Sequence, residues 1–200
     1  MSRRSVAAAD SSFPRLVSLA AHDLRTPLAT IHGFAQTLLR MGDLGEPKQR
    51  YMEMIDAASR QLAELLDELG TAARIESGHY EPSLQPTDTL ELAQAAAAQL
   101  GEERVRVNGD GGEVRVDPDA TERGIAALAQ AALRHGGLDG VDLQVDGPTL
   151  TLRPVTPSSA PVVLGEDLRD LGAAVAVRVV NALGGSVTLD GETLTVKLPE

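Results

Sequence analysis

The 200-residue chain carries 18 Lys+Arg against 29 Asp+Glu, a net charge of −11, and this argues against nucleic acid as a partner because phosphate contacts need clustered Lys and Arg. Phe13, Phe34, Tyr51 and Tyr80 are the only aromatic residues, too few for base stacking, and the absence of cysteine excludes a disulfide framework, a thiolate metal site and a thiol nucleophile. An apolar fraction of 42% fits a soluble globular protein. No run approaches the ~18 apolar residues of a membrane span, and residues 1–10 lack the apolar middle of a signal peptide, so the expected compartment is the cytosol.

Charge is unevenly distributed. Residues 1–80 hold 9 basic and 10 acidic side chains, a net of −1, whereas residues 81–200 hold 9 and 19, a net of −10. The texture changes at the same place, which predicts a leader at 1–12, a helical module at 13–80 and a mixed module at 84–200.

The first helix is expected from Phe13 to Arg40, where Val17, Ala21, Leu24, Leu28, Ile31, Ala35 and Leu38 alternate steps of four and three, the heptad seam of a helix that packs along its length. Ser11 and Ser12 before Phe13-Pro14 signal its start. Gly42, Asp43, Gly45 and Pro47 signal its end. A second helix is expected from Lys48 to Glu76, with Tyr51, Ile55, Ala58, Leu62, Leu65, Leu69 and Ala72 on its seam. Gly78 and Pro82 stop it. The short link makes the pair an antiparallel hairpin. Each helix also carries a second apolar stripe: Leu16, Ala20, Phe34 and Met41 on the first, Met52, Leu66 and Ile75 on the second. One seam serves two helices, so the surplus stripe wants another partner. A second copy forming a four-helix bundle is the economical choice; cover by the second module is the alternative.

Within the first helix lies His22-Asp23-Leu24-Arg25-Thr26-Pro27-Leu28. With Ala21 and Leu24 on the seam, His22 and Thr26 fall one turn apart on the outward side. Pro27 removes the hydrogen bond to the Asp23 carbonyl and crowds it, a cost of ~3 kcal/mol in a helix interior. A broken local rule one turn from an exposed histidine marks a functional site. Neutral imidazole keeps one nucleophilic nitrogen. A carboxylate such as Asp23 can take its other N–H, Thr26 can orient a water or a phosphoryl oxygen, and Arg25 can steady a phosphate or serve as an ordinary surface charge. His32, His79 and His135 are read as structural or exposed.

The stretch Ala21–Leu28, followed by Ile31 and Gly33-Phe34, resembles the phosphoacceptor box of two-component sensor histidine kinases. Ala73-Arg74-Ile75-Glu76-Ser77-Gly78 is similar to the segment that closes that family's second helix. The resemblance implies that His22 accepts the phosphoryl group, that Asp23 assists transfer, that Thr26 serves a reverse phosphatase reaction and that the hairpin dimerises.

In the second module, Leu90–Leu100 reads as a helix. Val105–Val107 and Val114–Val116 read as strands joined across Gly109–Gly112, and Ile125–Leu133 as a helix. Val141–Val145 and Leu150–Leu152 form a pair turning at Asp146-Gly147-Pro148. Leu171–Leu183 is a third helix, and Ser186–Leu189 with Thr193–Leu198 is a hairpin through Asp190-Gly191. Helices on one side of a mixed sheet make an α+β sandwich, so the fold class is α+β throughout: a dimeric hairpin followed by the sandwich. The order is similar to the ATP-binding domain of histidine kinases, with Leu171–Gly185 and Lys197-Leu198-Pro199 as the best anchors. The family's chemical positions differ here. Ala131 stands where the family has a magnesium-holding asparagine, and a methyl group cannot ligate a hard cation. Leu152–Pro157 lacks the adenine-reading aspartate and its glycine turn, the lid shrinks to 158–167, and Leu168–Gly172 replaces the glycine-rich phosphate turn. The module has one lysine, Lys197, where a polyphosphate would want several cations.

Together these features predict a histidine phosphotransferase relaying phosphate between response-regulator aspartates through His22. It would bind no cofactor, and the receiver partner would supply the Mg2+. A phosphatase-type or pseudokinase regulator that binds a response regulator or a full histidine kinase is one alternative, and a histidine kinase with a divergent ATP site is another.

Overall fold

The computed structural model describes residues 12–42 and 45–200. The leader lies outside the described residues apart from Ser12, as does Asp43 of the interhelical link. The chain divides into a first unit ending at His79 and a second spanning Tyr80–Glu200.

The first unit is a hairpin of two long helices, α1 (Ser12–Met41) and α2 (Glu46–Glu76). At 30 and 31 residues each extends about 45 Å. Pro47 is not a terminator of α1: it occupies the first turn of α2, where its missing N–H costs nothing and its fixed φ suits helix entry. α2 ends at Ser77, whose Oγ donates to the Ala73 carbonyl at 2.8 Å, and at Gly78, whose φ of +70° turns the chain out of the helix.

The packing corrects the seam assignment. On α1 only every second seam position is buried (Ala21, Leu28 and Ala35), while Leu24, Ile31 and Leu38 are exposed. On α2 the face turned inward is Asp56, Ser59, Gly70 and Ala73, with Ala63 and Leu66 half-buried beside them. The expected seam of Tyr51, Ile55, Leu62, Leu65 and Leu69 points to solvent. Of the expected surplus stripe, Met52, Leu66 and Ile75 are half-buried, whereas Phe34 and Met41 are exposed; the Leu16 and Ala20 side chains are outside the description. Small residues inside let the helices approach closely, so the bulky residues are left for an outer face. His32 Nδ1 lies 3.1 Å from Asp56 Oδ1, too far off line to count as a hydrogen bond. Arg60 Nη2 reaches the other oxygen at 2.6 Å, which compensates a carboxylate only 6% exposed.

The second unit is an α+β sandwich. Its elements run β1 (Gln85–Asp88), α3 (Thr89–Leu100), β2 (Val105–Gly111), β3 (Glu113–Val116), α4 (Pro118–Gly136), β4 (Val141–Gly147), β5 (Thr149–Arg153), α5 (Ala160–Val163), α6 (Leu171–Ala182), β6 (Ser186–Asp190) and β7 (Thr193–Lys197). The main sheet has the order β2-β4-β5-β7-β6, with β2 parallel to β4 and every other pair antiparallel. β2 and β3 do not pair with each other. β3 turns away at Gly112 and pairs with β1, a strand too short and polar to be legible in the sequence. Thr89, fully buried, ties this small sheet to the main one: its Oγ1 donates to the Gly147 carbonyl at 2.6 Å and accepts from Gly112 N at 3.0 Å.

Alternation along the strands fixes which face is covered. Val141, Leu143 and Val145 of β4, Leu150 and Leu152 of β5, and Leu194 and Val196 of β7 are all buried, packed with Leu92, Leu128 and Val180 from the helices. Asp142, Gln144 and Asp146 point the other way and are exposed. All three long helices therefore cover one face. Each is started by an aspartate cap, Asp88, Asp117 or Asp170. α4 and α6 come close where Gly124 meets Ala176, since a Cβ on Gly124 would stand 3.6 Å from the Ala176 methyl.

Candidate functional site

His22 sits on α1 between two residues that pin the helix. Ala21 is 2% and Leu28 8% exposed, and this anchorage against α2 leaves the intervening faces outward. His22, Thr26 and Pro27 are accordingly exposed, with His22 and Thr26 one turn apart on one face. α1 runs continuously through Pro27, so the Asp23 carbonyl has no proline N–H to accept. One turn on, the Thr30 hydroxyl donates to the Thr26 carbonyl at 3.1 Å. The Thr26 side chain is left facing solvent beside the histidine.

Asp23 lies on α1 next to His22, but its side chain is outside the described residues. The Arg25 guanidinium is ion-paired with Asp67 of α2, across the hairpin, with both side chains partly exposed. Asp67 was not legible as a partner because it lies on neither apolar stripe of α2. His32 and His135 are structural, paired with Asp56 and Asp170 respectively, and His79 is exposed. Both carboxylate partners were missed in the sequence, since neither lies within four residues of its histidine.

The second unit places the positions at which the sequence was expected to depart from the family inside or beside the core. Ala131 has 0% exposure. Val155, at 1%, follows the end of β5, and Val162 and Val163 of α5, both at 0%, anchor the 158–167 segment in the same core. Asp170 caps α6, its Oδ1 accepting from Ala173 N at 3.1 Å.

The family model for the His Kinase A phospho-acceptor domain matches residues 15–78. An uncharacterized sensor-like histidine kinase of Rhizobium meliloti is 29% identical over 158 residues, 72% of this chain and 30% of the relative. The histidine protein kinase DivJ of Caulobacter vibrioides is 29% identical over 172 residues, 79% of this chain and 28% of the relative. The chain therefore spans less than a third of the length of these relatives. Among solved structures, full-length ShkA in complex with AMPPNP superposes with a TM-score of 0.65 at 22% identity, covering 92% of this chain and 44% of that one. The Acinetobacter baumannii histidine kinase AdeS gives 0.56 at 17%, covering 89% and 97%. These two likenesses concern the fold, and they join a helical region to an α/β sheet domain of the kind seen in histidine kinases. Residues 15–78 thus match a His Kinase A phospho-acceptor domain, and the chain as a whole is similar to two-component sensor histidine kinases.

Proposed function

We propose that the protein is a dimeric histidine phosphotransferase that passes phosphoryl groups between response-regulator aspartates through His22 without binding ATP. The observation that carries this reading is Ala131, whose methyl group is wholly buried at the position where the family resemblance calls for a metal-holding amide. A magnesium nucleotide needs oxygen ligands and cationic partners. The residues present do not suit it: position 131 supplies no oxygen, and a carboxylate, Asp170, caps the helix end that would favour an anion. The net charge of −10 over residues 81–200 works in the same direction.

In the proposed transfer, an unprotonated imidazole nitrogen of His22 attacks the phosphorus of a receiver's aspartyl phosphate. A P–N bond forms, the P–O bond to the aspartate breaks, and the carboxylate leaves with the electron pair. Asp23 takes the hydrogen bond from the other ring N–H, and Thr26 orients water for phosphate removal. The receiver brings the magnesium. The exposed seam of the hairpin supports a second copy as its partner: Leu24, Ile31 and Leu38 on α1 and Ile55, Leu62, Leu65 and Leu69 on α2 are large apolar side chains left exposed, and exposed apolar surface of this kind marks an interaction site.

The competing reading is an autokinase, favoured by the kinases among the relatives and by the AMPPNP in the ShkA structure. Calorimetric titration of the purified chain with ATP, with and without magnesium, separates the two. No binding is expected, and micromolar affinity would refute the phosphotransferase reading.

A further inference from the structure

At the corner of the second unit where α4 ends and α6 begins, two ionisable side chains are turned inward. His135 and Asp170 are 16% and 13% exposed at the side chain, and His135 Nε2 lies 3.0 Å from Asp170 Oδ2. The carboxylate works in two directions, since its Oδ1 also accepts from Ala173 N at 3.1 Å. Arg134 Nη1 stands 4.0 Å from Oδ2. A third segment joins the same helix end: Ser158 Oγ donates to the His135 carbonyl at 2.8 Å. Thr156 Oγ1 lies 2.9 Å from Ser158 Oγ and 3.2 Å from Ser159 Oγ.

We propose that His135 and Asp170, with the hydroxyls of 156–159, form a built-in strap that holds the α4–α6 corner shut and keeps external anions from the N-terminus of α6. The pair links the C-terminal end of α4 to the N-terminal end of α6, where the Asp170 carboxylate offsets the positive pole of α6 from within. An open helix N-terminus attracts anions through its unpaired N–H groups. Here a carboxylate already takes one of them and repels a second negative charge. Removing either partner strands a largely buried polar group, so the two side chains act as a unit. The inference concerns the second unit alone and stands whether or not His22 relays phosphate.

The test is thermal and urea unfolding of the full chain carrying His135→Leu, Asp170→Ser (which keeps a capping oxygen) or both, each with and without inorganic tripolyphosphate. His135→Leu is expected to lower the folding equilibrium constant about tenfold, with the double variant no worse than the more damaged single one. Asp170→Ser is expected to gain stability from tripolyphosphate and the unsubstituted protein to gain none. If His135→Leu does not fold, His135→Gln, which keeps an N–H donor at similar reach, is expected to restore the fold. Additive losses, stabilisation of the unsubstituted protein by tripolyphosphate, an Asp170→Ser chain that ignores it, or failure of His135→Gln to fold would each overturn the strap.

Discussion

Ala21 of α1 faces Gly70 of α2 so closely that a Cβ placed on Gly70 would stand 3.8 Å from the Ala21 methyl. This contact sits one residue before His22 and sets the spacing of the helices beside it. At that distance a methyl group makes ordinary contact, so Gly70→Ala is expected to stabilise the hairpin by roughly 0.5–1 kcal/mol through helix propensity. Gly70→Leu has no such room and is expected to cost about 1–3 kcal/mol. Urea unfolding of both variants checks the pair, and equal effects would mean that the helices are not in close contact there.

Arg25 and Asp67 are exposed at 46% and 60% of their side chains, so their ion pair is a surface one and worth under about 1 kcal/mol. Asp67→Ala is expected to lower stability by no more than that and to leave phosphate uptake by His22 intact. Arg25→Ala is expected to behave alike, because its charge is already committed to α2. A loss of transfer tenfold or greater in Arg25→Ala alone would return Arg25 to the role of a phosphate contact.

Ile31 and Leu65 lie on the outer apolar face at 51% and 40% exposure. Replacing both with glutamate should leave each hairpin folded, since neither side chain is buried within it, but should halve the mass seen in sedimentation equilibrium. A monomeric unsubstituted protein, or a double variant that keeps its mass, would contradict the four-helix bundle.

Ala131→Asn restores the amide that the family resemblance calls for, but in a position with no exposure. Its polar group would be buried without a partner, at a cost of about 1–3 kcal/mol. The expected result is a lower melting temperature and no ATP binding by calorimetry. Nucleotide affinity gained from this one change would show that the rest of the site is intact.

The legibility of this chain followed its periodicities. Strands whose side chains alternate strictly, such as β4 with Val141, Leu143 and Val145, were evident in the sequence, as were two helices with unbroken heptads. What misled was the assumption that the bulkier heptad residues face the nearer helix. Ala21, Ser59, Gly70 and Ala73 form the interior because small residues allow closer approach, and no period distinguishes a seam between helices from one between copies. Strand β1 was missed because Gln85-Pro86-Thr87-Asp88 has no apolar alternation, and its partner β3 (Glu113–Val116) is reached only through the tertiary fold. The pairs Arg25–Asp67, His32–Asp56 and His135–Asp170 join residues 24 to 42 positions apart, a separation that only tertiary structure brings together. His22 and Thr26 were readable because the rule broken at Pro27 is local.

The relay is tested most directly by mixing the purified chain, free of nucleotide, with a receiver domain radiolabelled on its aspartate and following label onto the chain. Label on the unsubstituted protein, and none on His22→Ala, is the predicted result. Label that appears only when ATP and magnesium are supplied, or that appears equally on His22→Ala, would contradict it.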